Sequence, residues 1–261
     1  MGERLVRNEE VSGSTPLGST KDFMSKIRIY IKPGQIEDSI SITDRDTTHK
    51  IKDVLRLKAQ QPVYVFDGCG KEYLYSIKQL SKKSISLTKE KLLRQAASPA
   101  NTVTLGFPLE KEDRVDFILQ KCTELGVFRF IPFISQRSLK VKPSANKLNR
   151  WQRIIIEAAR QSQRLWIPEI SETLALDGID KQGFDLKIVG SLAGQSLIKK
   201  INKAVRDVLI VIGPVGDFSQ TEYKDLNHKG FKAIKLSENL LRTETAAMFS
   251  VGLINNFLNE G

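Results

Sequence analysis

Beyond residue 101 the chain alternates between two hydrophobic rhythms. Leu186 to Val189 and Val208 to Ile212 are short, almost wholly apolar runs, the pattern of strands buried on both faces of a parallel sheet. Val103 to Phe107, Phe128 to Phe133 and Phe231 to Leu236 read as further strands. Between them apolar residues recur at i, i+3, i+4 and i+7. Val115, Ile118, Leu119 and Cys122 form one such stripe, and Trp151, Ile154, Ile155 and Ala158 another. Gly126 is placed to end the first helix. A last helix stacks Ala246, Phe249, Ser250, Leu253, Ile254 and Phe257. Strands alternating with helices predict an α/β domain over residues 101–261 with a mainly parallel sheet.

Residues 26–97 follow a different pattern. Ile27 to Ile31, Val63 to Phe66, Lys71 to Ile77 and Ser84 to Thr88 read as strands, with a turn at Asp67-Gly68. Lys50 to Leu57 reads as a short helix with Ile51, Val54 and Leu55 on one face. Closely spaced strands with turn punctuation predict a small β-barrel. Gln95 to Ala100 is a candidate linker. Residues 1–25 are polar, carry Ser-Gly-Ser-Thr-Pro, and read as a disordered tail, with Met24 a possible native start. No internal repeat is visible.

Charge adds a partner class. Lys and Arg number 41 against 30 Asp and Glu, a net charge of +11, with an isoelectric point near 9.6. Such an excess favours a polyanion, because each neutralised phosphate releases a counterion. A merely solvated lysine surface is the plainer alternative. Two cysteines, Cys69 and Cys122, and two histidines offer no structural zinc site, so no metal is expected. The first two dozen residues lack the apolar centre of a secretory signal, and no apolar run reaches the length of a membrane span. A reduced, cytoplasmic protein is the simple reading.

Two segments suit ligand chemistry. Gly213-Pro214-Val215-Gly216-Asp217-Phe218-Ser219 follows the strand ending at Ile212. Ser219 and Glu222 form a capping box, and Phe218 and Tyr223 occupy hydrophobic-staple positions. Strand, tight turn and capped helix stand where open α/β sheets bind ligands, although an ordinary βα turn reads the same way. The segment lacks the Lys-Ser/Thr of a phosphate loop and the spacing of a dinucleotide fingerprint. The second segment, Leu236 to Ala246, joins the last strand to the last helix. Glu244 suits the positive end of that helix. Arg242 does not, which makes it the more informative residue.

Two polar stretches suit RNA. Glu157 to Arg164 ends a helix with amide and guanidinium donors, among them Gln161 and Arg164. His49 to Lys58 sets basic residues, including Arg56, opposite an apolar face, with His49 a possible stacking partner. A solvated helix end and a solvated helix are the respective alternatives.

Taken in order, these segments resemble one family. His49 to Leu57, Phe66-Asp67-Gly68, Lys111 to Gly126, Ile131 to Ser138, Arg150 to Arg164, the Gly213 loop and Leu240 to Ala246 are similar to the RsmE family, the 16S ribosomal RNA (uracil-1498-N3)-methyltransferases of the SPOUT superfamily. The resemblance implies an α/β trefoil-knot domain over residues 101–261 and a PUA-like β-barrel over residues 26–97 that helps hold RNA. It further implies a homodimer acting on 16S rRNA of the small ribosomal subunit. S-adenosyl-L-methionine would bind at Ser191, Leu192 and Gly194, at Ile212, Gly213, Pro214, Gly216 and Asp217, and at Leu236, Ser237, Leu240, Leu241, Thr243 and Thr245. RNA contacts would fall on His49, Arg56, Gln161 and Arg164. Arg242 would stabilise charge on the base or anchor a phosphate. Glu244 would be either a base or a helix cap.

The chain departs from the family where its first loop usually reads Gly-Pro-Glu-Gly-Gly. Val215 stands for Glu and Asp217 for Gly, while Ser237 and Asn239 replace a usual Gly and Arg. Backbone contacts survive such changes, and side-chain roles do not. Asp217 must adopt a positive φ if the glycine was needed for that. An RNA-binding protein of the same fold without catalysis, or a related methyltransferase acting on another RNA, are the alternatives.

Overall fold

A computed structural model describes residues 27–180, 183–196 and 204–259. The tail read over residues 1–25 lies outside them. The elements, in chain order, are β1 (Arg28–Tyr30), β2 (Ser39–Ile42), α1 (Arg45–His49), β3 (Pro62–Phe66), β4 (Lys71–Leu80), β5 (Ile85–Gln95), β6 (Thr102–Pro108), α2 (Glu112–Glu124), β7 (Arg129–Ile134), α3 (Ala145–Gln161), β8 (Glu169–Ile170), β9 (Leu174–Ala175), β10 (Leu186–Ser196), β11 (Asp207–Val211), α4 (Gln220–His228), β12 (Lys232–Lys235) and α5 (Thr243–Asn259). No helix among the described residues is long and apolar enough to cross a membrane.

The strands form two sheets. Strands β1 to β5 make a five-stranded sheet ordered β1-β3-β4-β5-β2, antiparallel except where β1 runs parallel to β3. It wraps a core of Ile29, Ile40, Ile51, Val65, Tyr75 and Leu87, consistent with a small barrel. The second sheet is parallel, ordered β12-β10-β11-β6-β7-β8.

Strand β11 shows why its run is apolar at every position. Side chains alternate across a strand, so Val208, Ile210 and Ile212 enter one core, with Val115, Ile118, Trp151, Ala247 and Ile254. Leu209 and Val211 enter the opposite core, with Phe133, Phe218, Leu226 and Phe231. The stripe Val115, Ile118, Leu119 and Cys122 on α2 is wholly buried, and Gly126 ends that helix at φ +98°. Desolvation pushes the Cys122 thiol pKa far up, so this cysteine acts as a small apolar core residue.

Two expectations are corrected. The helix expected over Lys50 to Leu57 starts earlier, because Asp44 accepts from the Thr47 N–H and caps α1. It continues as a π-turn over Lys50–Val54, closed by the Leu55 N–H donating to the Lys50 carbonyl. The wider turn breaks the three- and four-residue stacking. Ile51 is therefore buried, while Val54 and Leu55 face solvent. On α5 the buried stripe is Ala246, Ala247, Ser250, Val251, Ile254 and Leu258. Phe249, expected in the core, is 46% exposed.

The two sheets are bolted together at the end of α3. The Arg28 guanidinium donates to the carbonyls of Ala159 and Arg164 at 2.9 and 2.7 Å and lies over the Phe66 ring. The turn after β3 pairs with the chain beyond α3: Gly70 N–H donates to Leu165 O, and Ile167 N–H to Gly68 O. A side chain at Gly68 or Gly70 would collide with Ile167 or with Ala96 and Trp166.

Candidate active site

At the carboxyl edge of the parallel sheet, β10 meets the residues that follow β11 and β12. The pairing of β10 with β11 stops at Val189, and a Cβ built on the next residue, Gly190, would stand 3.5 Å from both Ile212 Cδ1 and Leu236 Cδ1, just beyond the ends of β11 and β12. Beyond β11, Asp217 N–H donates to the Pro214 carbonyl at 2.8 Å and closes a turn. Gly216 lies at φ 85° and Asp217 at φ 65°. The residue at the usual glycine position thus adopts the left-handed conformation, which Asp tolerates better than most side chains. The turn feeds a complete capping box. Ser219 accepts from the Glu222 N–H, and Glu222 accepts from the Ser219 N–H. The rings of Phe218 and Tyr223 meet edge-on at 5.5 Å, as the staple spacing predicts.

Tyr223 does more than staple. Its hydroxyl lies 3.0 Å from the Gly190 carbonyl and 2.8 Å from Asp217 Oδ1, so its one proton is shared between two of the loops. Burial is the main reason its pKa is raised. The Ser191 hydroxyl works against the rise, and the Asp217 carboxylate adds to it. The third loop is tied in by Thr243, whose hydroxyl donates to the Gly213 carbonyl at 3.3 Å.

Two side chains from the segments that follow β6 and β7 hold the Gly213 loop from outside. The Val215 N–H donates to Glu110 Oε1 at 2.9 Å, and the Arg137 guanidinium donates to the Gly216 carbonyl. Sequence reading missed Glu110, Arg137 and the hydroxyl role of Tyr223. The first two lie 105 and 79 residues from their partners, so no spacing announces them.

The loop residues singled out from sequence divide by environment. Ile212 and Pro214 are buried, and Ser191, Gly194, Gly213, Leu236, Ser237, Leu241 and Thr245 line the region at varied exposure. A Cβ on Gly194 would come within 2.6 Å of the Ile234 and Lys235 backbone, so that glycine is required by the β12 contact itself. Leu192, Val215 and Leu240 present large exposed apolar side chains, at 50%, 54% and 80%. Arg242 is exposed at the start of α5. Glu244 is half-buried, and its Oε2 is shielded from solvent with no hydrogen-bond partner among the described residues. It stands in the first turn of α5, where a carboxylate suits the helix dipole.

The four RNA candidates lie elsewhere. His49 Nδ1 pairs with the exposed Asp53 where α1 runs into the π-turn, and Arg56 is exposed at φ 50°. Gln161 is exposed at the end of α3. Arg164 is committed to structure: its guanidinium donates to the Thr123 carbonyl at 2.6 Å, and burial lowers its pKa to about 10. A groove of about 970 Å³ between α2 and α3 is lined by Asp116, Phe117, Arg150, Ile154 and Gln161 among others. It shares no residue with the loops and mixes both signs of charge. Size alone does not make a site, and the chemistry is assigned to the loops.

Residues 97–255 match the RNA methyltransferase domain family. The ribosomal RNA small subunit methyltransferase E of Synechocystis sp. is 30% identical, over 92% of this chain and 80% of the relative. That of Bacillus subtilis is 28% identical, over 89% and 96%. The chain belongs to this methyltransferase family. A solved structure of the Neisseria gonorrhoeae member, bound to S-adenosyl methionine, superposes with a TM-score of 0.80 at 26% identity, over 89% of this chain and 98% of that one. The parallel sheet and its capped loops are therefore the methyltransferase part of a SPOUT-type α/β enzyme.

Proposed function

We propose that the protein methylates N3 of a uracil in 16S rRNA of the small ribosomal subunit, using S-adenosyl-L-methionine. The observation that carries this reading is the meeting of β10 at Gly190 with the segments that follow β11 and β12, fastened by Tyr223 and Thr243, beside an exposed Arg242 and a half-buried Glu244. In this reading the loops are those of the trefoil knot. Residues 101–261 carry the chemistry, and residues 26–97 hold RNA through His49 and Arg56, aided by Gln161. Arg164 is left to its structural role.

The loops fit the cofactor on their own chemistry. Leu192, Val215 and Leu240 offer exposed apolar walls for a purine ring. The tight turn at Gly213 to Asp217 bends through two residues of positive φ, Gly216 and Asp217, and Ser191, Ser237 and Thr245 add hydroxyls. When bound, the sulfonium supplies an electrophilic methyl group.

The remaining work falls to the protein. Uracil N3 carries a proton and is a weak nucleophile until the proton leaves. Glu244, half-buried next to Arg242 at the start of α5, would accept it. Negative charge then spreads to the uracil oxygens, where the Arg242 guanidinium would stabilise it. A paired N3 is occupied, so the base must be unpaired or flipped. Phe249, and Leu125 beside Gly252, leave apolar surface exposed at 46% and 38%, which a second copy would cover in a homodimer.

The reading is tested by incubating the protein with radiolabelled S-adenosylmethionine and small subunits that lack the modification. Label recovered as 3-methyluridine in 16S rRNA is expected. Label in another nucleoside, or in none, would reject it.

A further inference from the structure

The segment 136–142 follows β7 and carries Arg137, Lys140 and Lys142 around two large apolar side chains. Leu139 is 50% exposed and Val141 82%. Such exposure would be unremarkable in a loose loop, but this one is pinned on three sides. The Gln136 N–H donates to Glu222 Oε1 at 2.6 Å, the Leu139 N–H to the Leu109 carbonyl at 2.9 Å, and Arg137 to the Gly216 carbonyl. Within the segment the Ser135 N–H donates to Ser138 Oγ at 2.8 Å, and Lys140 Nζ to the Ser135 carbonyl. The backbone from Gln136 to Leu139 is therefore held in one shape, and the Val141 side chain that follows it stays in water.

Charge narrows the occupant. From Leu125 to Ile156 the sequence contains no Asp or Glu, and among the described residues Arg137, Lys140 and Lys142 form no ion pair with a carboxylate. Lys140 lies close enough to Glu222 to help lower that carboxyl's pKa, but it closes no ion pair, and cations interleaved with apolar side chains match a chain of phosphates bearing flat apolar bases. The contact of Arg137 with Gly216 sets the segment directly against the Gly213 loop, where the target base would arrive.

We propose that residues 136–142 form a preformed contact surface for single-stranded RNA flanking the target base. This rests on the reading of the protein as an rRNA methyltransferase. Lys140 and Lys142 neutralise phosphates, Leu139 and Val141 pack on bases, and the pinned backbone lowers the ordering cost of binding.

The test uses the full chain and unmodified small ribosomal subunits. Equilibrium binding is measured by filter retention across a salt series for the wild type, Val141→Ser/Lys142→Glu and Lys142→Gln. Affinity for S-adenosylmethionine is measured by calorimetry alongside. The double variant is expected to bind subunits about tenfold or more weakly, and Lys142→Gln to flatten the salt dependence by roughly one phosphate contact. Cofactor affinity should stay within about twofold, which also reports that the loops remain folded. Unchanged subunit binding in both variants overturns the proposal, as does a wild type that binds no rRNA or that uses this surface only for an acidic protein. Binding that depends on Lys142 without any methyl transfer would reject the methylation reading and leave the surface standing.

Discussion

The Nε of Arg28 donates to Glu72 Oε1 over 2.5 Å, in a pair whose side chains are 7% and 6% exposed. Glu72 also accepts from Arg94 at 2.7 Å. The remaining Arg28 nitrogens reach the carbonyls at the end of α3. One guanidinium thus joins the first sheet to the methyltransferase sheet, sharing the Ala159 carbonyl with the Arg164 N–H and holding the Arg164 carbonyl beyond the helix end.

Removing Arg28 leaves a buried carboxylate half-compensated. Arg28→Ala is expected to destabilise the protein by about 3–5 kcal/mol, the usual cost of breaking rather than replacing a buried pair, as read from urea unfolding. Burial by itself raises the Glu72 carboxyl pKa, but the hydrogen bonds and charges of Arg94 and Arg28 outweigh it and hold it below its ordinary value. A depressed carboxylate stabilises the fold fully above its unfolded pKa of about 4.3. That contribution is lost as pH falls through the lower folded value. The acid-side loss of stability should be shallower in Glu72→Gln. An identical acid limb in both proteins would remove Glu72 from the account.

Tyr223→Phe keeps the ring against Phe218 and deletes only the hydroxyl shared by Gly190 and Asp217. The fold should hold, with thermal unfolding shifted by no more than a few degrees. S-adenosylmethionine should bind several-fold more weakly, in line with about 1 kcal/mol for one hydrogen bond. Calorimetric titration checks this, and an unchanged affinity would mean that the two loops hold their places without the tie.

Arg242 is exposed and contributes little packing. Arg242→Ala should lower kcat/KM by about a hundredfold or more with unfolding unaltered. Glu244→Gln keeps the shape of the half-buried side chain. If Glu244 accepts the N3 proton, the variant loses kcat while KM for the subunit is retained. A fall confined to KM would move Glu244 from proton transfer to binding.

Ser219→Ala removes one half of the capping box at α4 and should cost about 1 kcal/mol. Glu222 also accepts from Gln136, so Glu222→Ala should cost more than Ser219→Ala. Equal losses in chemical denaturation would mean that the Gln136 contact contributes nothing.

Local rules made much of this molecule legible from sequence. The all-apolar run at β11, the four-residue stripe on α2 and the Ser219–Glu222 box each depend on neighbours a few residues away, and each stands where its spacing placed it. The positive φ of Asp217 was expected only through the resemblance, which sets a glycine at that position. The π-turn at Lys50–Val54 was not. Its residues carry a helical pattern, and the register was set by an earlier cap at Asp44.

What the sequence determined by itself was the alternation of strands and helices, the basic charge and the two loops that suit a ligand. Their assembly was decided only in three dimensions. Glu110 reaches Val215, Arg137 reaches Gly216, Tyr223 reaches Gly190, and Arg28 reaches the end of α3. Each contact joins side chains and backbone groups far apart along the chain, and hydrogen bonding at about 3 Å depends on where the sheet order brings the strand ends. Periodicity and capping carry no information about that order. For the same reason Arg164, a promising RNA ligand by residue type, proved to be a donor to the Thr123 carbonyl, because burial is a property of the packed chain and not of the residue.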